Sequence, residues 1–280
     1  MKTIDDCTKI LSLWESKNYN KTQISNIASI SRPTVISCIK KYKTVNGFLS
    51  TLVEGKIPLP KQRKNINHIN NIICGNDEHL SKNYSYLLGV FLGDGHLSKY
   101  KSGIYSLIIS CDPKYINIMD RIQQSIIAIM PLNRCNKAQR YHNNKLSWID
   151  IYSYSKEWKL LFPFVQAGKK SDYKITLLPW QLSIIDKYPK DFLAGLIHTD
   201  GTRYQTTDKY KYVRYVFYQK SKDITDLFIK YCKLIDLKPT IHLHYIKTNE
   251  FITKSSHIYM VGLVKKTDTQ FLDTFIGPKT

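Results

Sequence analysis

The sequence predicts an α+β protein in which one mixed unit occurs twice, preceded by a small all-α domain. Three observations carry this. LLGVFLGDG (87–95) and LAGLIHTDG (193–201) are apolar runs that end in the same Asp-Gly pair, 106 residues apart. Helix-like and strand-like segments recur after each run at nearly that offset, the mark of an internal repeat. The first 45 residues show short helical periodicities of their own and no strand pattern.

In the N-terminal segment, 1–45, Ile4, Ile10, Leu11 and Trp14 recur at helical spacing and predict a first helix. Asn18-Tyr19-Asn20 interrupts it, and TQISNIA (22–28) predicts a second helix with Ile24 and Ile27 facing inward. After the turn Ser29-Ile30-Ser31, RPTVISCIKKY (32–42) predicts a third. Ser31 suits its N-cap, and Pro33 is tolerated in the first turn, where its missing N–H costs nothing. Two short helices joined by a tight turn read as a helix-turn-helix. Ser31, Arg32, Thr34, Ser37, Lys40 and Lys41 form a basic, hydroxyl-bearing face on the second of them, the surface that a helix seated in DNA needs. An ordinary three-helix packing unit is the alternative.

Residues 46–83 read as a basic linker. Within it, GKIPLPKQRKNINHINN (55–71) holds two prolines, four basic residues and no acid. It serves either as a solvated spacer or as positive charge along a phosphate backbone.

The two repeats are expected over 84–180 and 181–280. Leu87, Gly89, Asp94 and Gly95 match Leu193, Gly195, Asp200 and Gly201; KYINIMDRI (114–122) resembles KDITDLFIK (222–230); and WIDIYSYSK (148–156) lies over IYMVGLVKK (258–266). YSLIIS, LSWIDIY, YVRYVFY, TIHLHYI and HIYMVGLV read as strands between these landmarks. Each half is helix, strands, helix, strands, helix.

Small residues fall four apart in each apolar run: Gly89 and Gly93 in the first, Gly195 and Thr199 in the second. Four apart is one helical face. Helices apolar nearly all round are buried, so the two runs are expected to pack together through these small residues about a pseudo-twofold axis. Gly95 and Gly201 are then expected as left-handed helix ends. Asp94 and Asp200 fall in the last turn, at the negative end of the macrodipole, where an acid is disfavoured by about 0.3–1 kcal/mol. Pairing the helices doubles that cost. A hard divalent cation between the carboxylates, Mg²⁺ or Mn²⁺, resolves the repulsion.

Net charge points to the partner. There are 42 Lys and Arg against 22 Asp and Glu, a formal charge of +20. Residues 1–83 hold 13 basic and 6 acidic residues and 84–280 hold 29 and 16, so the excess is not a detachable tail. Such a chain suits a polyanion, most often nucleic acid. No run approaches the ~18 apolar residues of a membrane span, and MKTIDDCTKI is not a signal sequence. An intracellular protein is expected, in cytoplasm, nucleoid or organelle. The cysteines at 7, 38, 74, 111, 135 and 232 form no CxxC and no zinc-ligand spacing, which predicts free thiols.

The two Asp-Gly helices resemble the signature helices of the LAGLIDADG homing endonucleases, in the two-motif monomeric type. LAGLIHTDG matches most of the signature, and LLGVFLGDG matches at Leu87, Gly89, Asp94 and Gly95. The resemblance covers residues from about 84 onward. It implies tandem αββαββα halves in a pseudo-twofold monomer, each laying a saddle of strands over the DNA major groove. It also implies that Asp94 and Asp200 coordinate the metal and position a hydrolytic water. The signature's earlier acid is Leu92 in one copy and His198 in the other. Two unequal halves suit an asymmetric target.

Alternation in YVRYVFYQK puts Tyr212, Arg214, Tyr218 and Lys220 on one strand face, with Arg214 and Lys220 available to phosphates or guanine edges. His242 and His244 share a strand face without a third ligand nearby. A lysine beside the scissile phosphate is also expected. Lys156 and Lys266, at matching positions just after a strand, are the first candidates, and Lys169 and Lys170 in AGKK compete. The expected activity is site-specific hydrolysis of both DNA strands by a mobile-element endonuclease. A non-catalytic transcription regulator or a group I intron maturase on the same scaffold is the alternative. An intein endonuclease is disfavoured, because Met1-Lys2 and Pro278-Lys279-Thr280 lack the residues of protein splicing.

Overall fold

A computed structural model describes residues 4–45, 65–162, 170–207, 211–246 and 256–277. The chain divides into two compact units, 1–66 and 67–280.

Among its described residues the first unit holds three helices packed on one core: α1 (Ile4–Glu15), α2 (Lys21–Ala28) and α3 (Arg32–Tyr42). Asn20 is more than a break in the pattern. Its side chain accepts from the Thr22 and Gln23 amides at 3.0 Å each, and Gln23 returns a bond to the Asn20 amide, a reciprocal cap that starts α2. Cys7, Ile10, Leu11, Ile24, Ile30, Val35, Cys38, Ile39 and Tyr42 form a separate small core. Ile27, expected inside, is exposed, because Ile24 already fills the inward place of this two-turn helix. Ser31 sits at the N-cap position of α3, yet its hydroxyl pairs with that of Thr34 at 2.8 Å instead of capping a backbone amide.

The second unit begins earlier than the sequence implies. Helix α4 (Ile66–Cys74) occupies the end of the expected linker, with Ile69 and Ile72 fully buried in the main core. Three-residue spacing of apolar side chains there outweighs the poor helix propensity of the intervening asparagines. The stretch 46–64 lies outside the described residues. Helix α5 (Glu78–Gly93) also starts before residue 84, capped by Asp77, which accepts from the Leu80 amide at 2.9 Å.

After α5 come β1 (Gly95–Lys99), β2 (Tyr105–Cys111), α6 (Ile116–Ile129), β3 (Cys135–His142), β4 (Lys145–Ser155) and α7 (Trp158–Leu161). Helix α8 (Pro179–Lys187) leads into α9 (Pro189–Asp200), followed by β5 (Gly201–Gln205), β6 (Val213–Gln219), α10 (Lys222–Leu234), β7 (Thr240–Ile246), β8 (Ser256–Leu263) and α11 (Lys266–Asp273). The strands make two antiparallel four-stranded sheets of identical order, β1-β2-β4-β3 and β5-β6-β8-β7. Pairing confirms the duplication residue by residue. Gly95 pairs with Ile109 and Ile109 with Ile151, while Gly201 pairs with Phe217 and Phe217 with Val261. The repeat offset therefore runs from 106 to 108 to 110, as the aligned segments of sequence require.

Helices α5 and α9 are the axis of this unit, and their contact is backbone to backbone. A Cβ added at Gly89 would stand 3.1 Å from the Gly195 Cα; one at Gly195 would stand 2.8 Å from the Val90 nitrogen. Neither Gly95 nor Gly201 is left-handed, which corrects the sequence reading. Gly201 has φ −99° and ψ 157° and opens β5 directly. Glycine is needed for space: a Cβ at Gly95 or Gly201 would lie 2.7 Å from the Cα of Phe91 or Ile197.

Candidate active site

Asp94 and Asp200 stand where the two axial helices end. Asp94 is exposed at the C-cap of α5, and Asp200 is the half-buried last residue of α9. Between them, small side chains again set the spacing, since a Cβ on Gly93 would overlap the Thr199 side chain.

Lys170 sits at the end of α5 and borders the same cleft as Asp200. Its ammonium donates to the Phe91 carbonyl, which also accepts from the Asp94 amide, and, at 2.7 Å, to the Gly93 carbonyl in the last turn of α5. Burial pulls its pKa down from 10.5 to about 8, while the charges of Asp200 and then Asp94 act in the opposite direction. One ammonium thus senses both carboxylates. It also supplies part of the positive charge that the acids demand.

A cleft of about 340 Å³ opens on the Asp200 side, lined by Leu92, Gly93, Lys170, Ser171, Asp200, Gln219 and Lys220. Gln219 is fixed by backbone. Its Oε1 accepts from the amides of Lys220 (2.8 Å) and Ser221 (3.1 Å), which turns Nε2 onto Asp200 Oδ2 at 2.8 Å. Asp94 faces a smaller cavity of about 80 Å³ with Ser110, Cys111 and Thr199 among its walls. By register Cys111 is the counterpart of Gln219. Burial, with Asp94 as the next cause, pushes its thiol up to about 12. The repeats therefore present one acid each on either side of the Gly93–Thr199 contact, in unequal surroundings. The two acids border different cavities of the one site.

His198, at the signature's earlier acid position, lines the Asp94 cavity but not the Asp200 cleft. Its Nε2 lies 3.1 Å from the Ile276 carbonyl, which can only accept. Nε2 therefore carries the proton, and Nδ1 accepts from the Tyr86 hydroxyl at 2.9 Å. The pair ties α9 to α5.

The expected lysines are elsewhere. Ser155, just before Lys156, pairs with Tyr105, which pairs with Lys99, the end of β1 farthest from Asp94. That is roughly 13 Å along the strand from the level of Gly95. Lys266 opens α11, three residues past Leu263, whose pairing chain leads through Tyr215 to Arg203 and away from Gly201. Antiparallel register carries both lysines away from the acids. Lys169 lies outside the described residues.

Of the expected DNA contacts, Lys220 borders the Asp200 cleft. Arg214 lies on the outer face of β6 with its Nε buried and, among the described residues, unpartnered. Arg32, Ser37, Lys40 and Lys41 are exposed on α3, and Thr34 is half-buried. Gln219 was missed, although the alternation already marked it: it follows Tyr215 and Phe217 on the core-facing side, where an amide is out of place. Among the described residues no group of three or more His, Cys, Asp or Glu gathers to hold a metal. All six cysteines are free, and no described helix is long and apolar enough to cross a membrane.

The topology is of the LAGLIDADG type: paired glycine-contact helices, each running through Asp-Gly into a four-stranded antiparallel sheet. No family model and no curated protein matches the sequence. Among solved structures the chain is similar to mesophilic variants from the homing endonuclease I-DmoI (17% identity, 72% of this chain and 99% of that one, TM-score 0.46). It is also similar to the homing endonuclease I-WcaI bound to its DNA recognition sequence (16%, 71% and 82%, 0.43) and to the N-terminal LAGLIDADG domain of DUF199/WhiA (14%, 71% and 84%, 0.42).

Proposed function

We propose that the chain is a site-specific double-strand DNA endonuclease of the homing type, hydrolysing phosphodiester bonds with Mg²⁺ or Mn²⁺. One observation carries this reading: two acids from two repeats are held at adjoining helix C-termini, with one lysine, bonded to the last turn of α5, electrostatically coupled to both.

The donor set fits a divalent cation. Two carboxylates and two helix C-termini put roughly three negative charges at the helix ends. Lys170 offsets one, and the remainder suits a dication. Mg²⁺ is commonly held by one or two carboxylates together with waters and substrate phosphate oxygens, so a pair of carboxylates suits a site completed by DNA. Asp94 and Asp200 are the residues to hold the metal. When bound, it neutralises the phosphate and supplies a water of lowered pKa. Gln219 keeps the Asp200 carboxylate in one orientation. Lys170 presents positive charge beside the scissile phosphate and takes the place expected of Lys156 and Lys266. Two acids, one in each pocket, match two strands to be cut.

The outer sheet faces and α3 supply the grip on DNA. Arg214 and Lys220 extend the cleft's positive charge, and the face of Ser31, Arg32, Thr34, Ser37, Lys40 and Lys41 serves as a recognition surface. The strong positive charge of both units supports the same partner.

The test is cleavage of a randomised duplex library in Mg²⁺, with the cut ends sequenced. Wild type should yield one asymmetric site. Asp94→Asn and Asp200→Asn should each abolish cutting while retaining DNA affinity, because the amide keeps size but loses the charge that balances metal and developing oxyanion. Full cutting by either variant ends the catalytic claim for that acid. Binding without any metal-dependent cutting by wild type would return the chain to the regulator reading.

A further inference from the structure

One acid stands on the outward face of the first sheet. Asp150 on β4 alternates with core-facing Ile151, so it points away from the core, yet only 7% of it is exposed. Both of its oxygens are engaged. Ser110 Oγ donates to Oδ1 at 2.7 Å, and Arg140 Nε donates to Oδ2 at 2.7 Å. Arg140 reaches it diagonally across the β3–β4 pair. Arg140 itself pairs with Trp148, and Ala138, directly opposite Asp150, is small enough to leave the carboxylate open.

This arrangement does little for stability. The arginine side chain is 52% exposed, and ion pairs at such exposure contribute little, while sequestering a carboxylate is unfavourable. It does immobilise an arginine. The bond uses Nε, which leaves the two terminal Nη groups at the solvent end of the fork, and those donors match the O6 and N7 acceptors of guanine. The adjacent carboxylate cancels the arginine's charge, so the pair suits a neutral base edge better than a phosphate. The matching positions of the second repeat hold no such pair. Register places Tyr218, Met260 and His244 at the positions of Ser110, Asp150 and Arg140.

We infer that Arg140, held by Asp150 and Ser110, is a specificity-determining residue that reads one guanine in the major groove of the half-site under the first repeat, with no equivalent in the other half. This rests on the reading of the chain as a sequence-specific DNA endonuclease.

Binding selection from a randomised duplex library tests it, using wild type, Arg140→Ala and Asp150→Asn, with a salt titration of each. Wild type should enrich guanine at one position of one half-site. Arg140→Ala should lose about tenfold or more of that preference and leave the other positions unchanged. Asp150→Asn keeps the size but releases the guanidinium, and should weaken preference at the same position, which a merely structural acid would not do. An unchanged profile for Arg140→Ala overturns the inference. So does uniform weakening with a salt slope about one unit shallower, the signature of a phosphate contact. If wild type enriches no duplex, the endonuclease reading falls and takes this inference with it; if wild type selects and cuts a site indifferent to Arg140, only this inference falls.

Discussion

Lys170 shows how a single side chain sets the character of the candidate site. It is mostly buried, and it faces carbonyls and carboxylates at once. Burial wins, so its folded pKa of about 8 lies below the ordinary 10.5. Between those values the unfolded chain binds a proton that the folded chain does not, so the Lys170 contribution to stability rises with pH through that window and is at its least favourable below pH 8. The unfolding free energy of wild type relative to Lys170→Met is predicted to shift in wild type's favour by roughly 2–3 kcal/mol between pH 7.5 and 10.5. Urea unfolding at the two pH values measures it, and a flat difference would mean that the ammonium is solvated. At the acids, Asp94→Asn and Asp200→Asn should each leave stability within about 1 kcal/mol of wild type. Relief at the helix C-terminus is offset by the lost attraction to Lys170. Thermal denaturation beside the cleavage assay separates a catalytic from a capping role, since a cap would lose stability and keep activity.

Among the elements, α5 and α9 matter most, because everything at the site follows from how closely they approach. Gly195 meets backbone atoms of Tyr86 and Val90, which cannot step aside as a flexible side chain could. Gly195→Ala is predicted to destabilise by about 1–3 kcal/mol through overpacking and to lower cleavage by moving Asp200 relative to Asp94. An unchanged thermal midpoint would show the helices free to separate. Helix pairing was legible because small residues at four-residue spacing in an apolar run have few other uses. The strands were less legible. GHLSK, CNKAQRYH and GTRYQ form β1, β3 and β5 but were not read as strands. They are edge strands with at most one buried residue each, so no apolar alternation marks them.

For the whole molecule, charge and modularity yield the predictions. With a net charge of +20, DNA affinity should fall steeply with salt, the log–log slope being about −0.9 for each phosphate neutralised. A salt-independent affinity would point away from nucleic acid altogether. The N-terminal helices have a core of their own, separate from that of the repeats. Removing residues 1–50 is therefore predicted to leave a cooperative, folded protein that still cuts, with specific affinity reduced. Equal affinity of the truncated and full chains for the selected target would reduce α3 to a packing element.

By itself, the sequence determined what depends on local pattern and composition. It specified two copies of one unit, two buried helices with a glycine stripe, an acid ending each, and a strong excess of positive charge. Each of these is written in residues close together or in sums over the chain. Tertiary structure alone decided what depends on distant residues meeting. It brought Lys170 to the carbonyls of Phe91 and Gly93, 79 and 77 positions away, and carried Lys156 and Lys266 off along the strands. It also set Asp150 beside Arg140. Periodicity states which face a side chain occupies, whereas register and loop path state which other side chains it meets, and chemistry at a site is a property of the meeting.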